Sequence, residues 1–307
     1  MILNVSGATQ SYLANLNTTQ QQINQAEEEV SSGLSVQEPS DDPAAIAEIL
    51  QTQANIAQNT QIQSNLSSAG DELQTADSAL QSAVQAVESA SSIASQGASS
   101  TVTAAERANL AQQIAGIQQT LVGISQTTYN GSYIFSGDQD TGPAYELDSS
   151  APDGVQQLIS SPSTRTIVDA AGAGISVSLT AQQIFDAQNP DGTDATGNVF
   201  AAVNSLLTAL NNNDTAGITS AASALNSADT YLNQQLAFYG EAEDRITTAT
   251  DLAQKFQTQE QAQLSGLQSA DIPSVALELS QDQTDQQASL SAEAQVEQNK
   301  NLFSYLG

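Results

Sequence analysis

Leu66, Ala69, Leu73, Ala76, Leu80, Ala83, Val87, Ala90 and Ala94 recur in steps of alternately three and four residues. That rhythm puts every member on one face of an α-helix and rules out a strand over this stretch. Alanine between leucines lets a partner helix approach closely, so the seam asks for a long helical neighbour. A helix from Pro43 to about Ser95 is predicted. Only 4% of the 307 residues are aromatic, with no Trp and one Met. A thick globular core cannot be filled from that stock, and the expected fold class is mainly α: an elongated antiparallel helical bundle or coiled coil.

Two further seams supply the neighbours. Thr103 followed by Glu106 makes a capping box, and Leu110, Ile114, Ile117, Leu121 and Ile124 continue from it, predicting a second helix to about Tyr129. Leu225, Ala228, Leu232, Tyr239, Ala242, Ile246, Ala249, Ala253 and Phe256 keep the same rhythm in a third helix, predicted from Phe200 to Ser269 with a nick at "NNNDTAG". The expected rod core is Leu66, Leu73, Leu80, Val87, Leu110, Ile114, Ile117, Leu121, Leu232, Ile246 and Phe256. Between the seams the composition changes. Asn130-Gly131 is a turn signal before an aromatic run, and Ile175, Val177 and Leu179 alternate with Ser and Thr. Residues 138–199 are therefore read as a small β-rich, surface-exposed module inserted between rod segments 43–137 and 200–271.

The two ends resemble each other. Tyr12, Leu16, Ile23, Ala26 and Val30 make a thin apolar stripe on a Gln-rich helix, and Val275, Leu279, Leu290, Ala294, Phe303 and Leu306 make another. Neither stripe is wide enough to be stable alone, so the terminal segments 1–42 and 272–307 are expected to pair with each other or with other copies. Tyr12, Leu16, Ile23, Val30, Leu279, Leu290, Phe303 and Leu306 are the candidate packing residues. Each terminal segment is set off by a break. In "SSGLSVQEPSDDPAA", Gly33 fits the end of one helix, Pro39 keeps the chain extended, Asp42 caps the next helix and Pro43 starts it. Pro273 makes the matching break in "SADIPSV". Gly33, Pro39, Asp41, Asp42, Pro43 and Pro273 are read as a paired hinge.

Charge and chemistry exclude several functions. The formal net charge is −29 with five Lys+Arg, so phosphate backbones and anionic membranes find almost no cation. No nucleic-acid or membrane partner is expected, no stretch suits a membrane span, and the N-terminus lacks the basic and apolar regions of a signal peptide. With no His and no Cys, the common base and nucleophile pairs are missing, and catalysis is not expected. A glycosidase-like carboxylate pair would have to use Asp41–Asp42, which helix capping explains better. The acid-rich loops 138–142 and 189–198 lack the spacing and closing Glu of a calcium-binding EF-hand loop. No catalytic, metal or cofactor site is assigned.

"VSSGLSVQEPSDDPAAIAEIL" and "ADIPSVALELSQDQTDQQASLSAEAQVEQNKNLFSYLG" resemble the N- and C-terminal signatures of the bacterial flagellin family. Within that family, the run Gly131 to Gly137 is similar to the motif of its hook–filament junction members. The resemblance implies an axial subunit of the flagellum, secreted through the flagellar type III apparatus and escorted by an export chaperone on the C-terminal helix. It implies a homo-oligomeric tube in which terminal helices pair and the inserted module faces outward. The implied neighbours are another hook-associated protein and flagellin, and the alternative is flagellin itself.

Overall fold

A computed structural model of the chain describes residues 7–160 and 163–304, with side chains described over 10–160 and 163–295. It is mainly helical: α1 (Gly7–Ser32), α2 (Ile46–Gly97), α3 (Ala104–Ser125), α4 (Ala181–Phe185), α5 (Val199–Asn211), α6 (Thr215–Gln268) and α7 (Ile272–Ser304). Six short strands lie between α3 and α4: β1 (Thr128–Tyr129), β2 (Ser132–Tyr133), β3 (Tyr145–Leu147), β4 (Val155–Gln157), β5 (Thr166–Val168) and β6 (Gly174–Ser176). They form three separate antiparallel hairpins, β1–β2, β3–β4 and β5–β6. The chain divides into two compact units, one of Met1–Gln58 with Gln257–Gly307 and one of Asn59–Phe256. Both boundaries fall inside helices, since α2 and α6 each contribute a segment to either unit.

The Asn59–Phe256 unit holds the main core. All nine residues of the Leu66–Ala94 seam are buried, with Leu66, Leu73, Leu80, Ala83, Val87, Ala90 and Ala94 wholly so. Each buried leucine contributes about 2 kcal/mol of burial energy. The partner seam runs along α6 from Ile218 to Ala253. The Asn59 amide donates to the Ala253 carbonyl at 2.7 Å, and Gly97 lies against Ile218, so α2 and α6 run antiparallel. α3 begins at the anticipated capping box: Glu106 N–H donates to Thr103 Oγ1 at 3.3 Å and Thr103 N–H to Glu106 Oε2 at 2.7 Å. The Thr103 N–H, with the Thr103 hydroxyl donating to the same Oε2 at 2.9 Å, holds the Glu106 carboxyl below its ordinary value.

Three details of the Asn59–Phe256 unit depart from the sequence reading. α3 stops at Ser125, not Tyr129, because Thr128 and Tyr129 pair with Tyr133 and Ser132 across Asn130 (φ 49°) and Gly131 (φ 87°). The nick expected at "NNNDTAG" is a full break, so the third helix is two helices, α5 and α6. Asn213 takes φ 53°, and Asp214 starts α6 by accepting from Ala216 N–H at 3.1 Å. The insertion also contains α4, capped by Thr180 through Gln183. Its hairpins are two and three residues long per strand and are stabilised by what they cover rather than by their own ladders. Phe135 is the hub of that cover: it meets Phe185 at 6.1 Å and Tyr239 of α6 at 6.5 Å, both edge-on, while Phe185 stacks on Phe200 at 5.7 Å.

Candidate assembly site

The breaks that bound the terminal helices are built from backbone groups that regular helices leave unpaired. α1 ends at Ser32, and Gly33 follows with φ 74°, a left-handed conformation that glycine adopts without strain. Its N–H returns to the Glu29 carbonyl at 2.9 Å. The next residues pair with the other break. Leu34 and Ser269 form an antiparallel bridge, Ser35 N–H donates to the Gln268 carbonyl at 2.7 Å, and Ala270 N–H donates to the Gly33 carbonyl at 3.0 Å. Breaks more than two hundred residues apart in sequence are thus stitched main chain to main chain.

The two aspartates share the rest of the turn. Asp41 Oδ2 accepts from Gln37 N–H at 2.9 Å and Glu38 N–H at 2.8 Å, which holds its carboxyl below the ordinary carboxylate range. Asp42 Oδ1 accepts from Ala44 N–H at 2.9 Å and Ala45 N–H at 3.1 Å, and Ile46 N–H reaches the Asp42 carbonyl. The helix starts at Ile46 rather than at the expected Pro43, which stands exposed in the turn leading into it. Pro39 is exposed in a turn closed by Asp41 N–H on the Glu38 carbonyl at 3.0 Å, not in the extended chain expected of it. Pro273, by contrast, sits in the first turn of α7, where a missing N–H costs nothing. Two apolar anchors escaped the sequence reading: Val36 and Ile49, both buried. Val36 is an isolated apolar residue in a loop, and Ile49 is separated from the Leu66 seam by buried positions held by polar Thr52 and Asn59, which hide the period.

The terminal helices α1 and α7 pack antiparallel within their unit, with the Gln286 side-chain amide donating to Gln20 Oε1 at 2.6 Å. Ile23 and Ala26 of α1 are buried, and Tyr12, Leu16 and Leu279 are half-buried. Val30 and Leu290 are exposed, as are Leu13 at 50% and Leu277 at 70%. The side chain of Phe303, and Leu306 altogether, lie outside the described residues. Of the candidate rod residues, Leu66, Leu73, Leu80, Val87, Ile114, Leu121, Leu232 and Ile246 are buried, whereas Leu110, Ile117 and Phe256 are half-buried.

The buried and half-buried polar groups of the other unit pair with one another. Asp186, buried beside the aromatic hub, accepts from Tyr145 Oη at 2.8 Å, Asn198 Nδ2 at 2.7 Å and Gln188 Nε2 at 3.2 Å. Burial pushes its carboxyl up, and those hydrogen bonds offset part of the rise. Burial, then the neighbouring Asp186 charge, also raises the Tyr145 hydroxyl. Arg165 pairs with Glu72 of α2, whose carboxyl burial nonetheless raises. In loop 189–198 Asp191 binds its own neighbour, accepting from Thr193 N–H at 3.1 Å. Among the described residues no group of three or more acids is placed to hold a metal ion.

The described terminal pair leaves the large apolar side chains of Leu13, Val30, Leu277 and Leu290 in solvent. Residues 3–140 match the family described as the bacterial flagellin N-terminal helical region. Among solved structures the fold is similar to that of a Vibrio parahaemolyticus protein described as a candidate flagellar hook-associated protein. That match has a TM-score of 0.65 and 18% identity, and covers 75% of this chain and 100% of the other. Hook-associated protein 3 of Legionella pneumophila matches with a TM-score of 0.61 at 15% identity, covering 72% and 98%. The Xanthomonas campestris protein FlgL matches with a TM-score of 0.57 at 14% identity, covering 70% and 99%. At these identities the likeness is one of fold. No curated protein sequence matches significantly.

Proposed function

We propose that this chain is a structural, non-enzymatic axial subunit of the bacterial flagellum, standing at the junction between hook and filament. The observation that carries the reading is the α1–α7 pair. It buries little of its own apolar surface, leaving Leu13, Val30, Leu277 and Leu290 for neighbouring subunits. The flagellin-type N-terminal region and the hook-associated fold support the same reading. On it, copies join into a tube through the terminal helices, a hook-associated protein and flagellin lie on either side, and the inserted hairpins face outward. The chain leaves the cell through the flagellar type III apparatus, with an export chaperone covering α7. The stitched breaks at Gly33–Pro43 and Pro273 act as the hinge by which the terminal pair adjusts to its neighbours.

The test is deletion of the gene in the organism that encodes it. The reading expects hooks without attached filaments and flagellin shed into the medium, both restored by the intact gene. Filaments of normal length on the deletion strain would contradict it. The match to the flagellin N-terminal region favours one second reading, that the chain is itself the filament subunit. Deletion would then leave hooks bare with no flagellin in the medium.

A further inference from the structure

An open cavity of about 430 Å³ lies between α2 and the β1–β2 and β5–β6 hairpins, lined only by residues of the Asn59–Phe256 unit. Sites for small molecules span about 300–1,000 Å³. The polar part of the lining carries both charges. Arg165 is seated by its main chain, with its N–H donating to Ser178 Oγ at 2.8 Å and its carbonyl accepting from Val177 N–H at 3.0 Å. Its guanidinium pairs with Glu72 of α2, yet its Nε–H is buried with no hydrogen-bond partner among the described residues. Ser68, Asn130 and Ser132 add hydroxyl and amide groups to the same lining, Ser68 and Asn130 being exposed. The apolar part is Ile167, buried Val177 and the half-buried ring of Tyr129, whose hydroxyl donates to Asp71 Oδ2 at 3.3 Å.

Charge decides which class of molecule such a lining takes. An anion drawn to Arg165 meets Glu72 beside it, on a chain of formal net charge −29. A cation has to displace Arg165 from Glu72. A neutral polyol meets neither obstacle. Each of its hydroxyls both donates and accepts, so one group can satisfy a guanidinium N–H and a carboxylate oxygen together. Its C–H face, in turn, suits an aromatic ring. We propose that this cavity is a binding site for a neutral sugar of one or two rings, with Arg165 and Glu72 taking its hydroxyls and Tyr129 its apolar face. The site belongs to the hairpins and α2, and does not depend on the axial role proposed above. An open cavity with few polar anchors gives weak binding, with a Kd of about 1 mM.

The experiment is saturation-transfer NMR of the purified full chain at pH 7 with glucose, galactose, mannose, N-acetylglucosamine, lactose and cellobiose, each titrated to about 20 mM. The expected result is saturable binding of at least one of these sugars, with a Kd near 1 mM as above. The variant Glu72→Gln/Arg165→Gln removes both charges while keeping amides of similar reach, and should weaken that sugar at least roughly tenfold. Ser68→Trp fills the cavity from an exposed position on α2 and should weaken it as much, whereas Gln74→Trp, exposed elsewhere on the same helix, should leave it unchanged. Circular dichroism of each variant checks that the helices are intact. No saturable binding of any of the sugars, or undiminished binding in either cavity variant, would overturn the inference. Sodium glucuronate binding more tightly than every neutral sugar would make this an anion site and overturn it as well. None of these outcomes bears on the axial role, which the deletion phenotype tests separately.

Discussion

Arg107 is the most demanding single residue in the bundle. It is buried without a carboxylate partner. Nε donates to the Gly97 carbonyl at 2.8 Å, Nη2 to the Ser99 carbonyl at 2.8 Å and Nη1 to Asn213 Oδ1 at 2.6 Å. The cation thus sits on the last carbonyl of α2 and on that of Ser99 just beyond it, where the helix dipole favours positive charge, and ties them to the turn between α5 and α6. Arg107→Ala should cost about 2–3 kcal/mol in urea unfolding, and Arg107→Lys should recover only part, because a single ammonium cannot span three acceptors. Asp186 gives a test by pH. Its folded-state pKa is raised, so folding favours the protonated form. The group costs nothing below its unfolded pKa of about 4 and destabilises increasingly as pH rises through the folded value. The non-titrating variant Asp186→Asn should therefore gain stability relative to the parent between pH 4 and pH 7, read from urea midpoints. A constant difference would mean that the carboxylate is not strained.

Among the elements, the α2–α6 seam carries the stability. Leu73→Ala, with its side chain wholly buried, should cost about 2–5 kcal/mol, whereas Gln74→Ala on the exposed face should change stability by less than about 0.5 kcal/mol. Equal losses of melting temperature would place the seam on the wrong face. The seams were legible in the sequence because burial against a straight partner repeats every three or four residues, and the caps were legible because Thr103, Asp42 and Gly33 act locally. The rest was not. The stitching of Gly33 and Ser35 to Gln268 and Ala270 is main chain to main chain and leaves no residue signature. Arg107 and Asp186 owe their roles to elements distant in sequence, and five-residue α4 is too short for a period to register. Deleting Ser40–Pro43 should abolish incorporation into flagella in motility and microscopy assays while the helical content of the purified chain stays nearly constant. Normal motility of the deletion strain would count against the hinge.

For the whole molecule, the axial role proposed above divides into two kinds of assembly. A junction subunit must meet different neighbours on its two sides and stop, whereas a filament subunit repeats one open head-to-tail contact without limit. The measurement that separates them is electron microscopy of purified chain added to isolated hook fragments. The junction account predicts short caps whose length does not grow with time or protein concentration, and which then seed growth of added flagellin. Long filaments made of this chain alone would contradict it.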